Sequence, residues 1–353
     1  AGLAAIIQAL RRVEPELAIT VLSARPEETA REYNVAAVSR TGVREIRRAI
    51  AAADLLISGG GSLLQDVTGN RTIPYYLGVV WLAQLLGKPV FFYAQGVGPV
   101  RKWPGKLLVR KIVNRVDAIT VRDKESAAEL RRLGVTQPPV TVTADPVFGL
   151  EIPGREVSGP AGPVIGVAAR ECPDAGDFEY KTVIARACAQ LVERHGARIL
   201  LLPFHQPADL PVARELQALI GPGARVAGEG LPPLELAGVV AGLDFLLGMR
   251  LHALIFATLG GVPFAGIAYD PKVTALLALF GQKPVLGGGI HQVGRHGGSH
   301  FDETQDVAEI VRRWEAREEI RQKALEVVHG PGGLRDAALA TARMALATIW
   351  TPA

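Results

Sequence analysis

Residues 242–253 have the sequence GLDFLLGMRLHA, in which a short apolar run leads directly into a helical pattern. The run Gly242–Leu247 is long enough for a buried strand, and Leu251–Leu259 carries apolar residues at helical spacing. The breaker Gly260-Gly261-Val262-Pro263 then ends the predicted helix. Strands that pass directly into helices build parallel sheets, so this stretch predicts an α/β fold.

The same alternation of short β-branched runs and longer helical patterns occurs twice along the chain. In the first half we predict strands near residues 17–22, 54–58, 89–94, 118–121 and 140–143. A Pro- and Gly-rich stretch at 152–163 interrupts the pattern, and further strands are predicted near 164–169, 198–202, 225–227, 245–248 and 263–267. Helical patterns at 303–328 and 334–349 close the chain. We therefore predict an N-terminal domain over 1–152 and a C-terminal domain over 163–330.

The composition argues against several classes of protein. The chain has 353 residues, 48% of them hydrophobic, but it lacks the uninterrupted run of roughly 20 apolar residues that a membrane-spanning helix needs. No signal-like segment is seen, so we expect a cytoplasmic protein. Two cysteines, Cys172 and Cys188, are too few for a disulfide framework. The net charge of +4 is small and basic residues are interspersed with acidic ones, so nucleic acid is not an expected partner.

Arg250 and His252 lie at the predicted start of a helix, where unpaired N–H groups and the helix dipole favour an anion. The carboxyl ends of parallel strands are also where α/β proteins bind ligands. A permanent cation beside a titratable imidazole therefore predicts a site for an anion and a proton. Both side chains can face one ligand only if the junction is still extended or turned. The alternative is that Arg250 caps the helix or pairs at the surface, with His252 an ordinary polar residue.

Two further residues follow predicted strands of the second half. Arg170 ends the first of these strands, and His205 follows the second. The planar fork of arginine suits carboxylate or phosphate, so Arg170 and Arg250 with a histidine would suit a ligand that bears both groups. The alternative for Arg170 is a surface ion pair with Glu171. His205 ranks below His252 as a candidate.

Residues 57–66, with the sequence ISGGGSLLQD, place three glycines after a predicted strand. Such a turn lets the backbone approach a ligand closely and can direct several N–H groups at one oxygen. The stretch AQGVGP at 94–99 follows the next strand and should lie on the same edge of the sheet. Neither is a P-loop or a dinucleotide fingerprint, and a tight turn is the alternative interpretation. The candidate binding residues are Gly60, Gly61, Ser62, Gln65, Asp66 and Gln95.

Three histidines, His291, His296 and His300, lie in a glycine-rich run. Their spacing matches neither a helical pair nor a usual zinc pattern, and no cysteine or carboxylate cluster accompanies them. We therefore expect a loop over the cleft here and no metal site. A hydrolase triad has no support either, because the sequence contains no Gly-x-Ser-x-Gly elbow.

These motifs resemble those of the polysaccharide pyruvyltransferase family, most closely its bacterial cell-wall branch, CsaB. The resemblance covers nearly the whole chain, and its most specific elements are residues 57–66, 93–99, 121–126, 144–147 and 248–253. Members look like GT-B glycosyltransferases, with two Rossmann-like domains facing across a cleft. The resemblance thus implies a GT-B-like α/β fold whose C-terminal helix, in residues 331–353, packs back toward the N-terminal domain.

The family uses phosphoenolpyruvate as donor and installs pyruvate as a ketal on a sugar. In the cell-wall branch, the implied acceptor is N-acetylmannosamine in a lipid-linked precursor of a secondary cell-wall polymer, of the kind that anchors S-layers. Such an acceptor would bring the enzyme to the inner membrane face as a peripheral protein. The implied donor site falls on Arg250, Leu251 and His252, with Arg170 as the second clamp, and we add His205 from its position after a strand. The expected acceptor site lies on the glycine-rich loops.

The chemistry expected from this resemblance needs no metal or cofactor, because the two arginines supply the countercharge. His252 would protonate the methylene carbon of phosphoenolpyruvate, and Asp66 is the candidate general base. One alternative is a GT-B glycosyltransferase that uses a nucleotide-sugar donor; another is a binding protein without activity. Relatives usually begin with a strand and a turn ending in Gly-Asp-Glu before the helix that here begins at Ala1. That turn is not in this sequence, so its acidic residues are not among the candidates.

Overall fold

The computed structural model describes residues 1–66, 72–152, 154, 162–172, 180–227, 229–286 and 303–350. The chain divides into two compact units, which we call the N-terminal unit (Ala1–Glu151 with Pro331–Ala353) and the C-terminal unit (Ile152–Gly330). Each consists of parallel strands and flanking helices, so the predicted α/β class is confirmed. No helix among the described residues is long and apolar enough to cross a membrane.

The N-terminal unit alternates strands and helices. Its strands are β1 (Thr20–Ser23), β2 (Ala36–Ser39), β3 (Leu56–Gly59), β4 (Val90–Gln95), β5 (Ala118–Val121) and β6 (Val140–Val142). Its helices are α1 (Gly2–Val13), α2 (Pro26–Tyr33), α3 (Val43–Ala52), α4 (Thr72–Leu85), α5 (Trp103–Val113), α6 (Lys124–Arg132) and, from the end of the chain, α14 (Leu334–Trp350). A 3-10 turn spans Pro146–Gly149.

These strands form two parallel sheets, a pair β1-β2 and a four-stranded sheet in the order β3-β4-β5-β6. Strand β4 is buried along its whole length. Its successive side chains point to opposite faces of the sheet. Phe92 joins a core cluster with residues of α3 to α6, whereas Phe91 and Tyr93 join a cluster with α1 and α14. The four-stranded sheet is therefore covered by a helix layer on each face, as a Rossmann-like unit requires.

The C-terminal unit repeats this plan. Its strands are β7 (Val164–Ala168), β8 (Arg198–Leu201), β9 (Ala224–Val226), β10 (Phe245–Gly248) and β11 (Phe264–Gly266). Its helices are α7 (Tyr180–His195), α8 (Leu210–Ile220), α9 (Pro233–Ala241), α10 (Leu251–Leu259), α11 (Pro271–Leu279), α12 (Glu303–Glu315) and α13 (Arg317–His329). The parallel sheet has the order β11-β10-β7-β8-β9. The chain therefore builds outward from β7 on one side, then returns to add β10 on the other.

The single helical pattern expected at 303–328 forms two helices. The chain turns at Ala316, which ends α12 and precedes α13. Helix α12 packs on α7 and buries Trp314, whereas α13 packs on α10 and buries Val328. One straight helix could not cover both neighbours, so tertiary packing overrides the continuous local pattern.

Cys188 on α7 is almost fully buried in the core of the C-terminal unit, and burial raises the pKa of its thiol to about 12. Because the thiolate is the reactive form, we expect this thiol not to react with a disulfide reagent while the unit is folded. A Cys172→Ser variant leaves Cys188 as the sole thiol, so labelling with Ellman's reagent with and without urea tests this directly. Rapid labelling without urea would show that α7 is not packed as described.

Candidate active site

Arg170 and Arg250 leave the C-terminal unit's sheet from neighbouring strand ends. Strands β7 and β10 are hydrogen-bonded in parallel, with Ala168 opposite Gly248, and each arginine follows two residues later. The N–H of Met249 donates to the carbonyl of Ala168 at 2.9 Å, which holds the two ends together. The strand order reverses between β7 and β10, and such a switch point opens a ligand crevice at the carboxyl ends of the strands.

The Arg250 guanidinium is oriented by a buried carboxylate, that of Asp209. Nε of Arg250 donates to Oδ2 of Asp209 at 3.0 Å, and Nη2 donates to Oδ1 to complete a bidentate pair. The Asp209 side chain is only 1% exposed, whereas that of Arg250 is 20% exposed. Arg250 therefore does not form a surface ion pair, which was the alternative interpretation, because its partner Asp209 is buried. Among the described residues Nη1 of Arg250 has no hydrogen-bond partner, so it remains able to bind an anion.

The backbone at Arg250 is extended, which is the condition under which Arg250 and His252 can face one ligand. Arg250 is the N-cap of α10 with φ −83° and ψ 123°, an extended conformation, and the helix begins only at Leu251. His252 then lies exposed on the first turn, with its ring stacked at 6.4 Å from that of Phe256. The predicted position of both residues at a helix N-terminus is therefore confirmed. Leu251, the remaining member of the motif, is half-buried between them.

Asp209 also fixes the loop that contains His205. The N–H of His205 donates to Oδ2 of Asp209 at 2.8 Å, and the N–H of Asp209 donates back to the carbonyl of His205 at 2.9 Å. Phe204 lies 6.1 Å from Phe256, the ring that also contacts His252. The structure thus brings His205 and His252 to the same edge of the sheet.

Arg170 lies over an aromatic ring and does not pair with the adjacent carboxylate. Its Cζ is 4.4 Å from the centre of the Tyr269 ring, and its Nε donates to the backbone carbonyl of Glu171 at 3.0 Å. The carboxylate of Glu171 instead binds Lys181 at 3.2 Å. Burial acts to lower the pKa of Arg170, but the Tyr269 hydroxyl and the nearby charges outweigh it, so the pKa is raised. Arg170 is therefore a fixed cation at this edge.

In the N-terminal unit, close backbone approach explains Gly59, and a positive φ explains Gly60. A Cβ on Gly59 would lie 2.3 Å from the carbonyl oxygen of Tyr93 on the neighbouring strand, and Gly60 has φ +87°. The loop then pairs with the one that follows β4: Gly96 N–H donates to the carbonyl of Gly61 at 3.2 Å, and Gly98 N–H donates to that of Leu64 at 3.0 Å. The two glycine-rich loops therefore form one continuous rim, as predicted from their shared edge.

Arg122 connects this rim to the next two strand ends. Its Nη2 donates to Oγ of Ser62 at 3.0 Å, its Nη1 to Asp145 at 3.1 Å and its Nε to Asp123 at 3.2 Å. The Arg122 side chain is largely buried. Arg122 and Asp145 come from motifs that carry the family resemblance, yet they were not among the candidate site residues. Their position after β5 and β6, at the same carboxyl edge as the glycine loop, is the signal that would have found them.

Gln95 has a different position from the one expected of an acceptor-binding residue. A β-bulge between Phe92 and Gln95, with Ala94 at φ +42°, turns the Gln95 side chain inward, where it is fully buried. Its Nε2 donates to the carbonyls of Gly61 and Gly96, both at 3.1 Å. Gln95 therefore connects the two glycine-rich loops through hydrogen bonds made on their buried side. Gln65, which packs beside Gly98, also contacts the second loop.

Asp66 anchors the end of the glycine loop. Its Oδ2 accepts hydrogen bonds from the N–H groups of Arg101 and Lys102 at 2.7 and 2.9 Å. Burial acts to raise the pKa of this carboxyl, but the backbone N–H groups and the Arg101 charge outweigh it and lower the pKa. A carboxylate stabilised in this way is a weaker base. The assignment of Asp66 as general base stays a prediction, and the described contacts favour a structural role.

We expect Asp66→Asn to lower the free energy of unfolding at pH 7 by about 1–2 kcal/mol, because a neutral amide accepts these hydrogen bonds less strongly. The folded pKa lies below the ordinary 3.8, so the carboxylate stabilises the fold above that pH and ceases to do so as the pH falls through the folded pKa. Urea denaturation of both proteins at pH 7 and pH 3 measures the change. An unchanged stability at pH 7 would contradict the anchoring role.

The remaining candidates concern metals. Residues 287–302, which include His291, His296 and His300, lie outside the described part of the chain. Among the described residues, no group of three or more His, Cys, Asp or Glu side chains is placed to hold a metal ion.

Comparison with known proteins places this geometry in a family. The amylovoran biosynthesis protein AmsJ of Erwinia amylovora is 25% identical over 253 residues, a match that covers 65% of this chain and 60% of AmsJ. This chain thus spans less than two thirds of the length of that relative. A sequence model of the polysaccharide pyruvyl transferase family matches residues 3–271.

Two solved structures establish the type of fold. The UDP-GlcNAc 2-epimerase of Methanocaldococcus jannaschii has a TM-score of 0.64 at 11% identity, over 98% of this chain and 96% of its own. TcCGT1 in complex with UDP has a TM-score of 0.57 at 11% identity, with the same coverage. At this identity the likeness concerns the fold alone, and it confirms the predicted GT-B-like class of two Rossmann-like domains. With the family match over residues 3–271, the chain belongs to the polysaccharide pyruvyl transferase family.

Proposed function

We propose that this protein transfers the pyruvyl group of phosphoenolpyruvate to a sugar, forming a 4,6-pyruvate ketal and releasing phosphate. The observation that carries the proposal is the pair of arginines at the switch point, Arg170 and Arg250, which follow opposed residues of β7 and β10. Membership of the family supports pyruvyl transfer. The name of AmsJ, an amylovoran biosynthesis protein, supports a biosynthetic role.

The charges at this edge suit a small dianion or trianion. Two guanidinium groups face one described carboxylate, that of Asp209, which leaves a net positive charge beside the N-terminus of α10. In the proposal, Nη1 of Arg250 and the guanidinium of Arg170 bind the carboxylate and phosphate of phosphoenolpyruvate. Leu251 and His205 line the same site.

The reaction then proceeds in balanced steps. His252, as imidazolium, gives its proton to the methylene carbon of phosphoenolpyruvate, which produces an oxocarbenium-like centre at C2. A sugar hydroxyl adds to C2 and loses its proton, and the bond between C2 and the phosphate oxygen breaks to release phosphate. The neighbouring hydroxyl adds to C2, loses its proton and closes the six-membered ketal. The two protons lost balance the one gained by the methyl group and the one that leaves with phosphate.

The glycine-rich rim of the N-terminal unit is the proposed acceptor site. Its backbone turns at Gly60, which has φ +87°, and places the Ser62 hydroxyl beside Arg122 at the same edge, an arrangement that suits the hydroxyls of a sugar. The proposed acceptor is N-acetylmannosamine in a lipid-linked precursor of a secondary cell-wall polymer. No cofactor is included in the proposal, since the arginines supply the countercharge.

The test is phosphate release from phosphoenolpyruvate, measured with and without a synthetic lipid-linked N-acetylmannosamine acceptor. We expect release that requires the acceptor, and a rise in melting temperature with phosphoenolpyruvate that UDP-sugars do not reproduce. Arg170→Gln should reduce that rise, whereas Arg225→Gln, an exposed position on β9, should not. Stabilisation by UDP-sugars alone, with no phosphate release from several pyranose acceptors, would overturn the proposal in favour of a nucleotide-sugar glycosyltransferase.

A further inference from the structure

The outward surface of α4 and α5 combines exposed apolar side chains with several positively charged ones. Residues 67–116 contain no Asp or Glu, the described part of this stretch carries seven Lys or Arg residues, and both helices lie within it. Elsewhere in the chain acidic and basic residues are interspersed. The net charge of the whole chain, +4, therefore does not reveal that this stretch carries only positive charge.

On α5 one exposed face carries both kinds of residue. Trp103, Lys106, Leu107, Arg110 and Lys111 follow the spacing of a single helix face, and Trp103 is 73% exposed. Arg110 and Lys111 are exposed, and Lys106 is half-buried, where its charge helps to lower the pKa of Glu129. A protruding tryptophan among cations is typical of helices that lie at a lipid interface.

Helix α4 extends this surface with an uncharged face. Pro74, Gly78, Trp81 and Leu85 share one side of the helix and are exposed, although α4 contains no charged residue. A helix that is apolar on all sides is ordinarily buried on all sides. Exposure of Trp81 and Leu85 therefore marks a surface that a partner covers.

The two faces form one surface because α4 and α5 run parallel, side by side, on the same side of the sheet. Near their starts, Ile73 lies beside Gly105, and near their ends Nε2 of Gln84 donates to the carbonyl of Ile112 at 3.0 Å. The right-handed crossovers that join β3, β4 and β5 place both helices in one layer. We call this surface the α4–α5 face; it is defined by Trp81, Leu85, Trp103, Lys106, Leu107, Arg110 and Lys111.

We propose that the α4–α5 face docks on an anionic lipid bilayer. The tryptophan and leucine side chains would enter the interface while Lys106, Arg110 and Lys111 bind lipid phosphates. A second copy of the chain is a poorer partner, because two such faces carry the same charge and would repel.

The face is also continuous with the proposed acceptor site. Asp66, at the end of the glycine loop, accepts hydrogen bonds from the backbone of Arg101 and Lys102, directly before Trp103. A sugar carried on a lipid would therefore reach the loop at the membrane surface. This last point rests on the proposed function, whereas the charge and exposure of the face do not.

The experiment is co-sedimentation of the protein with vesicles of phosphatidylcholine alone or mixed with phosphatidylglycerol, without donor or acceptor, so its outcome does not depend on catalysis. We expect binding to the anionic vesicles only, weakening with salt. Lys106→Glu with Lys111→Glu should reduce binding at least about 25-fold, because each of the two cations near an anionic surface contributes about fivefold. Trp103→Ser with Leu107→Ser should also weaken it.

Matched controls lie on the C-terminal unit. Leu219→Ser with Leu279→Ser removes equally exposed leucines, and Arg225→Glu with Lys272→Glu reverses two exposed charges; neither pair should change binding. Circular dichroism confirms that each variant is folded. Absence of vesicle binding, or equal binding by all variants, would overturn the proposal. So would self-association, seen by light scattering, that is lost in Trp81→Ser with Leu85→Ser while no vesicle binding occurs.

Discussion

Arg250→Met is expected to lower the free energy of unfolding by about 3–5 kcal/mol, because it leaves a buried carboxylate without its cation. Asp209 is 1% exposed, so water cannot replace the two hydrogen bonds that the guanidinium donates. Urea denaturation followed by circular dichroism measures the loss. Arg225→Met, at an exposed position on β9, is the control and should change stability by less than about 0.5 kcal/mol.

The double variant Arg250→Met with Asp209→Asn tests how much of this loss comes from the interaction between Arg250 and Asp209 and how much from the residues around them. Asparagine is neutral and can still accept the hydrogen bond from the His205 N–H, so the double variant should be more stable than Arg250→Met alone. We expect a coupling energy of about 1–3 kcal/mol between the two positions. If the two changes are additive, the bidentate pair does not form in solution and the orientation of Arg250 needs another explanation.

The part of the fold that local sequence decides was predictable. The strand Phe245–Gly248 and the helix Leu251–Leu259 are both found where expected, because glycines bound an apolar run whose spacing changes at Gly248. The strand Ala36–Ser39 was missed. It has four residues, none of them fully buried, and alanine and serine do not favour strands, so its pairing with β1 depends on tertiary contacts.

The candidate site was predictable only where its residues follow strands. That rule predicts the positions of Arg170, Arg250 and His252, and the structure places them at the expected edge, while their roles in the site stay predictions. Asp209 was missed because its partner, Arg250, is 41 residues away, and no local pattern reports such a contact. The inward turn of Gln95 was missed as well, because it depends on a bulge and on the positive φ of Ala94.

His252→Asn is expected to lower the rate of phosphate release by about 10²–10⁴-fold, the usual contribution of a positioned general acid. The proposal gives His252 the proton that forms the methyl group, and asparagine cannot supply it. His252 is exposed on the first turn of α10 and contacts Phe256, so the substitution should leave the fold intact. Binding of phosphoenolpyruvate, measured by calorimetry, should change little, since the arginines carry the charge of the site.

His205→Asn is the matched comparison, because His205 lies at the same edge of the sheet and is also exposed. If His252 is the acid, His205→Asn should retain most of the activity, and product formed in D₂O should carry one deuterium in its new methyl group. A larger loss in His205→Asn than in His252→Asn would transfer the acid role to His205. Undiminished activity in both variants would mean that neither imidazole delivers the proton, and the mechanism would need a different acid at the same carbon.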